Sequence, residues 1–111
     1  MNPIQQSHGA AELIELPARL VMANAVQIRN FLKQVVAHGR TQLVLDLHQV
    51  EFIDSSGLSV LVSALKAAQE QDGDVVLLSP SDGVRSLIEL TRLHQVFEIF
   101  EDQDAAIRRV L

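Results

Sequence analysis

Residues 43–65 read LVLDLHQVEFIDSSGLSVLVSAL, and two different periods meet inside them. Leu43, Leu45 and Leu47 fall on one face of an extended chain and Val44 on the other, so Gln42 to Leu47 predicts a buried strand. From Leu58 the spacing changes to that of a helix, with Leu58, Leu61, Val62 and Leu65 in one stripe and an end near Gln71-Asp72-Gly73. Between the two stands the tetrad Asp54-Ser55-Ser56-Gly57.

Working outward from that unit, the same two periods alternate. Upstream, Glu12 to Leu16 reads as a strand. Pro17 interrupts it, so Arg19-Leu20-Val21-Met22 must lie at an edge or resume after a kink. Residues 1–10 are polar and turn-prone. Asn24 followed by Gln27 resembles a capping box, and Ile28, Phe31, Leu32 and Val35 continue as a helix that stops at His38-Gly39. Downstream, Val75 to Leu78 is a short apolar strand. Ser79-Pro80-Ser81-Asp82 predicts an N-cap serine with proline at the first helical position, leading into Val84, Leu87, Ile88 and Thr91. Val96 to Phe100 reads as another strand and Asp104 to Leu111 as a closing helix. Strands alternating with helices over short connections predict an α/β fold, a mostly parallel sheet covered by helices.

Composition bounds the function. With 111 residues the expectation is a single domain, 1–111. Hydrophobic residues at 48% against 21% charged exclude wholesale disorder. No apolar run approaches the ~20 residues that span a bilayer, and the start MNPIQQSHG lacks a signal-peptide pattern, so the expected location is the cytoplasm, without membrane insertion. The absence of cysteine excludes disulfides, thiol catalysis and thiolate zinc sites. A net charge of -5, no Lys/Arg cluster and no Trp or Tyr argue against nucleic acid as a partner.

The tetrad at 54–57 is where chemistry would sit, because ligands and reactive groups in α/β sheets gather beyond the carboxyl ends of strands. Two readings stand there. In the first, Asp54 or a serine merely caps the following helix. In the second, a serine hydroxyl at the helix N-terminus accepts a phosphate, favoured by the helix dipole and opposed by Asp54. A serine hydrolase is disfavoured, since the Gly-x-Ser-x-Gly elbow is absent and His8, His38, His48 and His94 are scattered. An aspartyl-phosphate receiver is rejected: Glu12 and Glu15 form no acidic pair at a strand end to hold magnesium. Asp72-Gly73-Asp74 and Ser81-Asp82-Gly83 fit turns rather than a calcium loop. No metal and no cofactor is expected.

Leu43-Val44-Leu45-Asp46-Leu47 followed by Val50-Glu51-Phe52-Ile53-Asp54-Ser55-Ser56-Gly57-Leu58 resembles the STAS domain of bacterial anti-sigma factor antagonists. The resemblance covers roughly residues 11–111, with support from Leu87-Ile88-Glu89-Leu90-Thr91 and Val96-Phe97-Glu98-Ile99-Phe100. It implies a mixed, mostly parallel sheet of about five strands with about four helices and no catalysis of its own. It also implies phosphorylation at Ser55, with Ser56 the second choice, by an anti-sigma factor that is a serine kinase of the histidine-kinase-like ATPase type. The unphosphorylated form then binds that kinase and frees its target, and a PP2C-type phosphatase restores it. Asp54, Ser55, Ser56, Gly57 and Leu58, with exposed parts of the helix, would form the contact surface. One departure is visible: the family often reads Gly-x-Leu-Asp where this chain has Ala18-Arg19-Leu20-Val21, so Val21 replaces an acidic residue. The alternative within the same fold is a STAS subunit that braces an ABC-type transporter ATPase and needs no phosphorylation.

Overall fold

The computed structural model describes residues 3–111; Met1 and Asn2, the first of the stretch expected to be turn-prone, lie outside the described residues. Five strands form the main sheet: β1 (Ile4–His8), β2 (Ala11–Glu15), β4 (Gln42–Asp46), β6 (Asp74–Leu78) and β7 (Ile99–Phe100), in the order β1-β2-β4-β6-β7. β1 and β2 are an antiparallel hairpin, and every other neighbour is parallel. A second, two-stranded parallel sheet pairs β3 (Arg19–Leu20) with β5 (Phe52–Ile53). Four helices complete the chain: α1 (Met22–Ala37), α2 (Ser55–Gln69), α3 (Asp82–Leu90) and α4 (Gln103–Val110). The expected α/β architecture of a mixed, mostly parallel five-stranded sheet with four helices is present.

The alternation in β4 decides which side each helix covers. Leu43, Leu45 and Leu47 join Ile14, Leu77 and the inward stripes of α1, α2 and α3 in the larger core. Val44 points the other way and meets Leu13, Val76 and the apolar side of α4 in a smaller one. Burying both faces of the central strands is what a parallel sheet requires.

Several boundaries differ from the sequence expectation, each for a local reason. β1 occupies part of the stretch expected to be turn-prone. It is a polar edge strand with Gln5 and Ser7 donating to the carboxylate of Glu12 at 2.9 and 2.7 Å. Glu12 is fully buried, and Arg40 completes its shell at 2.9 Å. After Pro17 only Arg19 and Leu20 are extended, since Met22 already begins α1. Asn24 is therefore the third residue of α1 and not its cap; its Oδ1 accepts from Val21 N at 3.0 Å and its Nδ2 donates to the Arg19 carbonyl. Ser81, not Ser79, caps α3 and accepts from Val84 N, while Ser79 N donates to the Phe100 carbonyl and so stays in the ladder. Within Val96 to Phe100 only Ile99 and Phe100 form a strand. Arg92, at φ +63, turns the chain into a 3₁₀ turn at Leu93–Gln95, which leaves Val96 exposed and Phe97 buried.

Candidate functional site

The loop leaving β4 is held at its root by Asp46, whose Oδ1 accepts from His48 N at 3.0 Å and lies 2.8 Å from the His48 ring Nδ1. Buried Val50 anchors its middle. Glu51 N and Phe52 N both donate to the Ala18 carbonyl, which sets β5 beside β3, and Asp54 N then donates to the Leu20 carbonyl at 3.3 Å. The chain thus reaches Asp54 already fastened to the segment that opens α1.

Asp54 is the N-cap of α2, in extended backbone. Its Oδ1 accepts from Gly57 N at 3.0 Å, as a capping carboxylate should. Its Oδ2 accepts from Met22 N, also at 3.0 Å, the first residue of α1 and 32 positions away. One carboxylate therefore ties together the N-termini of two helices that pack side by side. Both termini carry partial positive charge, which suits an anion at that point. The Gly57 N–H, and after it the Met22 N–H, hold the Asp54 carboxyl below its ordinary value.

Gly57 is needed at this junction for room. A Cβ there would stand 2.0 Å from the Leu20 carbonyl oxygen and 2.8 Å from Ile53 Cγ1, so only glycine lets α2 start this close to β3.

The five residues expected at the contact surface divide between surface and core. Ser55, the first residue of α2, is exposed, and Ser56 and Asp54 are partly so. Gly57 and Leu58 are buried, Leu58 within the larger core, so neither offers a side chain to a partner. The sequence reading overlooked three exposed apolar side chains around the shared helix end: Met22 at 76% exposure, Val26 one turn further along α1, and Phe52 on β5. The Arg19 guanidinium lies 4.9 Å from the Phe52 ring centroid. Beside them opens a cleft of about 430 Å³ lined by Arg19, Val21, Phe52, Asp54, Val84 and Leu87. Val21, the departure from the family pattern, is the N-cap residue of α1 and supplies no side-chain hydrogen bond. An exposed Phe beside the tetrad was the one available hint of this apolar rim.

A serine activated for catalysis needs a base within reach. His48 is instead engaged by Asp46 and by Glu15, whose Oε1 lies 3.6 Å from its Nε2. Glu15, Asp46 and His48 bring potential metal ligands within 4.8 Å of one another, the one such group among the described residues. There the imidazole ring itself lies between the carboxylates, and Gln49 Nε2 donates to the same Glu15 oxygen, Oε1, at 2.8 Å. Among the described residues no helix is long and apolar enough to cross a membrane.

Comparison with known proteins places this geometry. The profile of the STAS domain matches residues 3–106. BtrV of Bordetella bronchiseptica, which bears the name of an anti-sigma factor antagonist, is 31% identical over 84 residues, 76% of this chain and 72% of its own length. In two further relatives the aligned stretch spans 50% and 82% of their own lengths. Among solved structures, the Thermotoga maritima protein TM1081, named likewise, superposes with a TM-score of 0.90 at 25% identity, covering 97% of this chain and 93% of its own. SpoIIAA, a Bacillus cell fate determinant solved in its phosphorylated form, superposes at 0.75 with 21% identity, over 96% of this chain and 97% of its own; at that identity the likeness concerns the fold alone.

Proposed function

The chain belongs to the STAS domain family, and from that premise we propose that it is an anti-sigma factor antagonist whose binding is switched by phosphorylation of Ser55. In this reading residues 1–111 act as one STAS domain in the cytoplasm, without catalysis of their own. The unphosphorylated surface around Asp54, Ser55 and Ser56, widened by Met22, Val26 and Phe52, docks on an anti-sigma factor that is also a serine kinase of the histidine-kinase-like ATPase type. Docking frees that protein's target. Phosphorylation of Ser55 ends the contact, and a PP2C-type phosphatase restores it.

The observation that carries this reading is the sharing of Asp54 between two helix ends. Both carboxylate oxygens are engaged by backbone N–H groups, at 3.0 Å each, so the turn is rigid while the Ser55 hydroxyl beside it stays exposed. A phosphate there adds about -1.5 to -2 charges at the positive end of α2, where it is tolerated by the fold. The same charge lands beside the Asp54 carboxylate and among exposed apolar side chains. A partner pressed against that rim would have to desolvate it, so contact is lost without unfolding. Val21 makes the rim less acidic than the family pattern, which assigns more of the docking to apolar contact.

The test is phosphate incorporation from ATP in the presence of the cognate kinase. Wild type and Ser56→Ala should be labelled and Ser55→Ala should not. Labelling of Ser55→Ala at the wild-type rate would remove Ser55 from its role.

A further inference from the structure

The chain has nine Lys and Arg residues against a net charge of -5. Four of the nine have partners in the fold: Arg19 over Phe52, Arg40 with Glu12, Arg85 with Glu101, and Arg109 with Glu98 and Asp74. Among the described residues Arg29, Lys33, Lys66, Arg92 and Arg108 make no ion pair. Three of these five, Arg29 and Lys33 from α1 and Lys66 from α2, line a single groove of about 580 Å³ between the two helices, with the hydroxyls of Ser59 and Ser63. Arg29 and Lys33 are four residues apart, helical neighbours of like charge that work against the helix carrying them. Glu70, the one acidic residue on the groove wall, is ion-paired to none of the three. Isolated lysines on a helix are ordinary solvated surface. Here cations from two helices line one groove of an acidic chain, and none of the three is ion-paired within the fold.

We propose that the groove between α1 and α2 receives an acidic segment of a protein partner, a run of Asp and Glu side chains laid along α2. The placement favours a segment over a small phosphorylated ligand: Arg29 and Lys33 stand about 6 Å apart along α1 and Lys66 comes from α2, so the cations line the length of the groove. The groove is also continuous with the Ser55 surface. Ser55, Ser59 and Ser63 recur every four residues and so descend one side of α2, placing Ser59 about 6 Å and Lys66 about 16 Å along the axis from Ser55. That identity for the partner rests on the reading of Ser55 as a docking surface; the charge argument does not. At physiological ionic strength about 16 Å is twice the screening length, so a phosphate on Ser55 leaves the far end of the groove cationic. The groove's own affinity for the segment is then unchanged by the phosphate, and release of the partner comes from losing the contacts at the Ser55 end.

The experiment titrates the ¹⁵N-labelled protein with an octaglutamate peptide and, separately, with inorganic phosphate and with ATP, at low salt. The peptide should shift the amides of Arg29, Lys33, Ser59, Ser63 and Lys66 to saturation. Lys33→Glu with Lys66→Glu should weaken it by at least about tenfold. Reversal of the two unpaired cations outside the groove, Arg92→Glu with Arg108→Glu, should change affinity by no more than about twofold. Thermal melts confirm that each variant is folded. Absence of saturable shifts, or equal losses in the two reversal pairs, would overturn the proposal. ATP or phosphate moving the same amides more tightly than the peptide would also overturn it, in favour of a small phosphorylated ligand. Peptide binding that survives in a chain whose Ser55 is never phosphorylated would leave the groove standing while the switch falls.

Discussion

At the first turn of α2 a Cβ on Gly57 would lie 2.0 Å from the Leu20 carbonyl oxygen, and just beyond its last turn a Cβ on Gly73 would lie 2.0 Å from the carbonyl oxygen of Thr41. The helix is thus pressed against backbone at both ends, and at both the selection for glycine comes from contact. What surrounds the two contacts differs. The Gly73 end is a turn: Asp72 takes φ +61, Gly73 N donates to Ala68, and Asp74 N donates to Thr41 to start β6. The Gly57 end joins a second helix through Asp54 and leaves Ser55 exposed among Met22, Val26 and Phe52. Close packing alone is therefore a structural device. It becomes a candidate site where it fixes an exposed hydroxyl between two helix ends.

The largest effects should come from filling either contact. Gly57→Ala and Gly73→Ala should each destabilise by about 3 kcal/mol, the upper part of the overpacking range, because a backbone carbonyl must move. Gly39→Ala is the contrast, with φ +91 and open space around the added methyl. It should cost about 1 kcal/mol for the left-handed backbone alone. Urea midpoints compare the three, and equal losses would remove the contact argument.

Next in size is Asp54→Ala, which uncaps two helices where Ser81→Ala uncaps one. The Ser81 change should cost about 1 kcal/mol, and the Asp54 change should lower the melting temperature further. Its pH dependence has a definite sign. The folded-state carboxyl lies below its ordinary value of 3.8, so its contribution is fully present above that pH and is lost as pH falls through the folded-state value. The gap in stability between wild type and Asp54→Ala should accordingly be constant around neutrality and close under strong acid. A gap that persists there would mean Asp54 acts other than through its charge.

Smaller still, and of opposite sign, is Val21→Asp, which gives α1 a cap of its own. It should stabilise by about 1 kcal/mol. It should stabilise more when Asp54 is Ala, since with Asp54 present the two carboxylates serve the same helix end. Additive effects would show that the helix ends are not shared. Ser55→Ala should move stability by less than about 0.5 kcal/mol in chemical denaturation, because an exposed hydroxyl with no structural bond is being removed.

The comparison also marks how far the sequence could be read. The strand at Gln42–Asp46 and the stripe of α2 were legible because each residue's burial follows from its own spacing. The cap at Asp54 was half legible: its bond to Gly57 is local, while its bond to Met22 crosses 32 residues and depends on β3 pairing with β5. Gly57 and Leu58 looked like surface because they adjoin an exposed serine, yet the helix turns both inward. β1 was hidden for the opposite reason. Apart from Ile4 its side chains are polar, with no apolar alternation to read, and its place is set by backbone pairing and by the fully buried Glu12, which Gln5, Ser7 and Arg40 hold.

The most direct test of the central claim uses Ser55→Ala and Ser55→Asp proteins as baits in a lysate of the source organism, with captured partners identified by mass spectrometry. A kinase-type ATPase retained by the alanine bait and lost by the aspartate bait is the predicted result. Equal recovery of a transporter ATPase by both baits would contradict it and reduce Ser55 to the first residue of a well-capped helix.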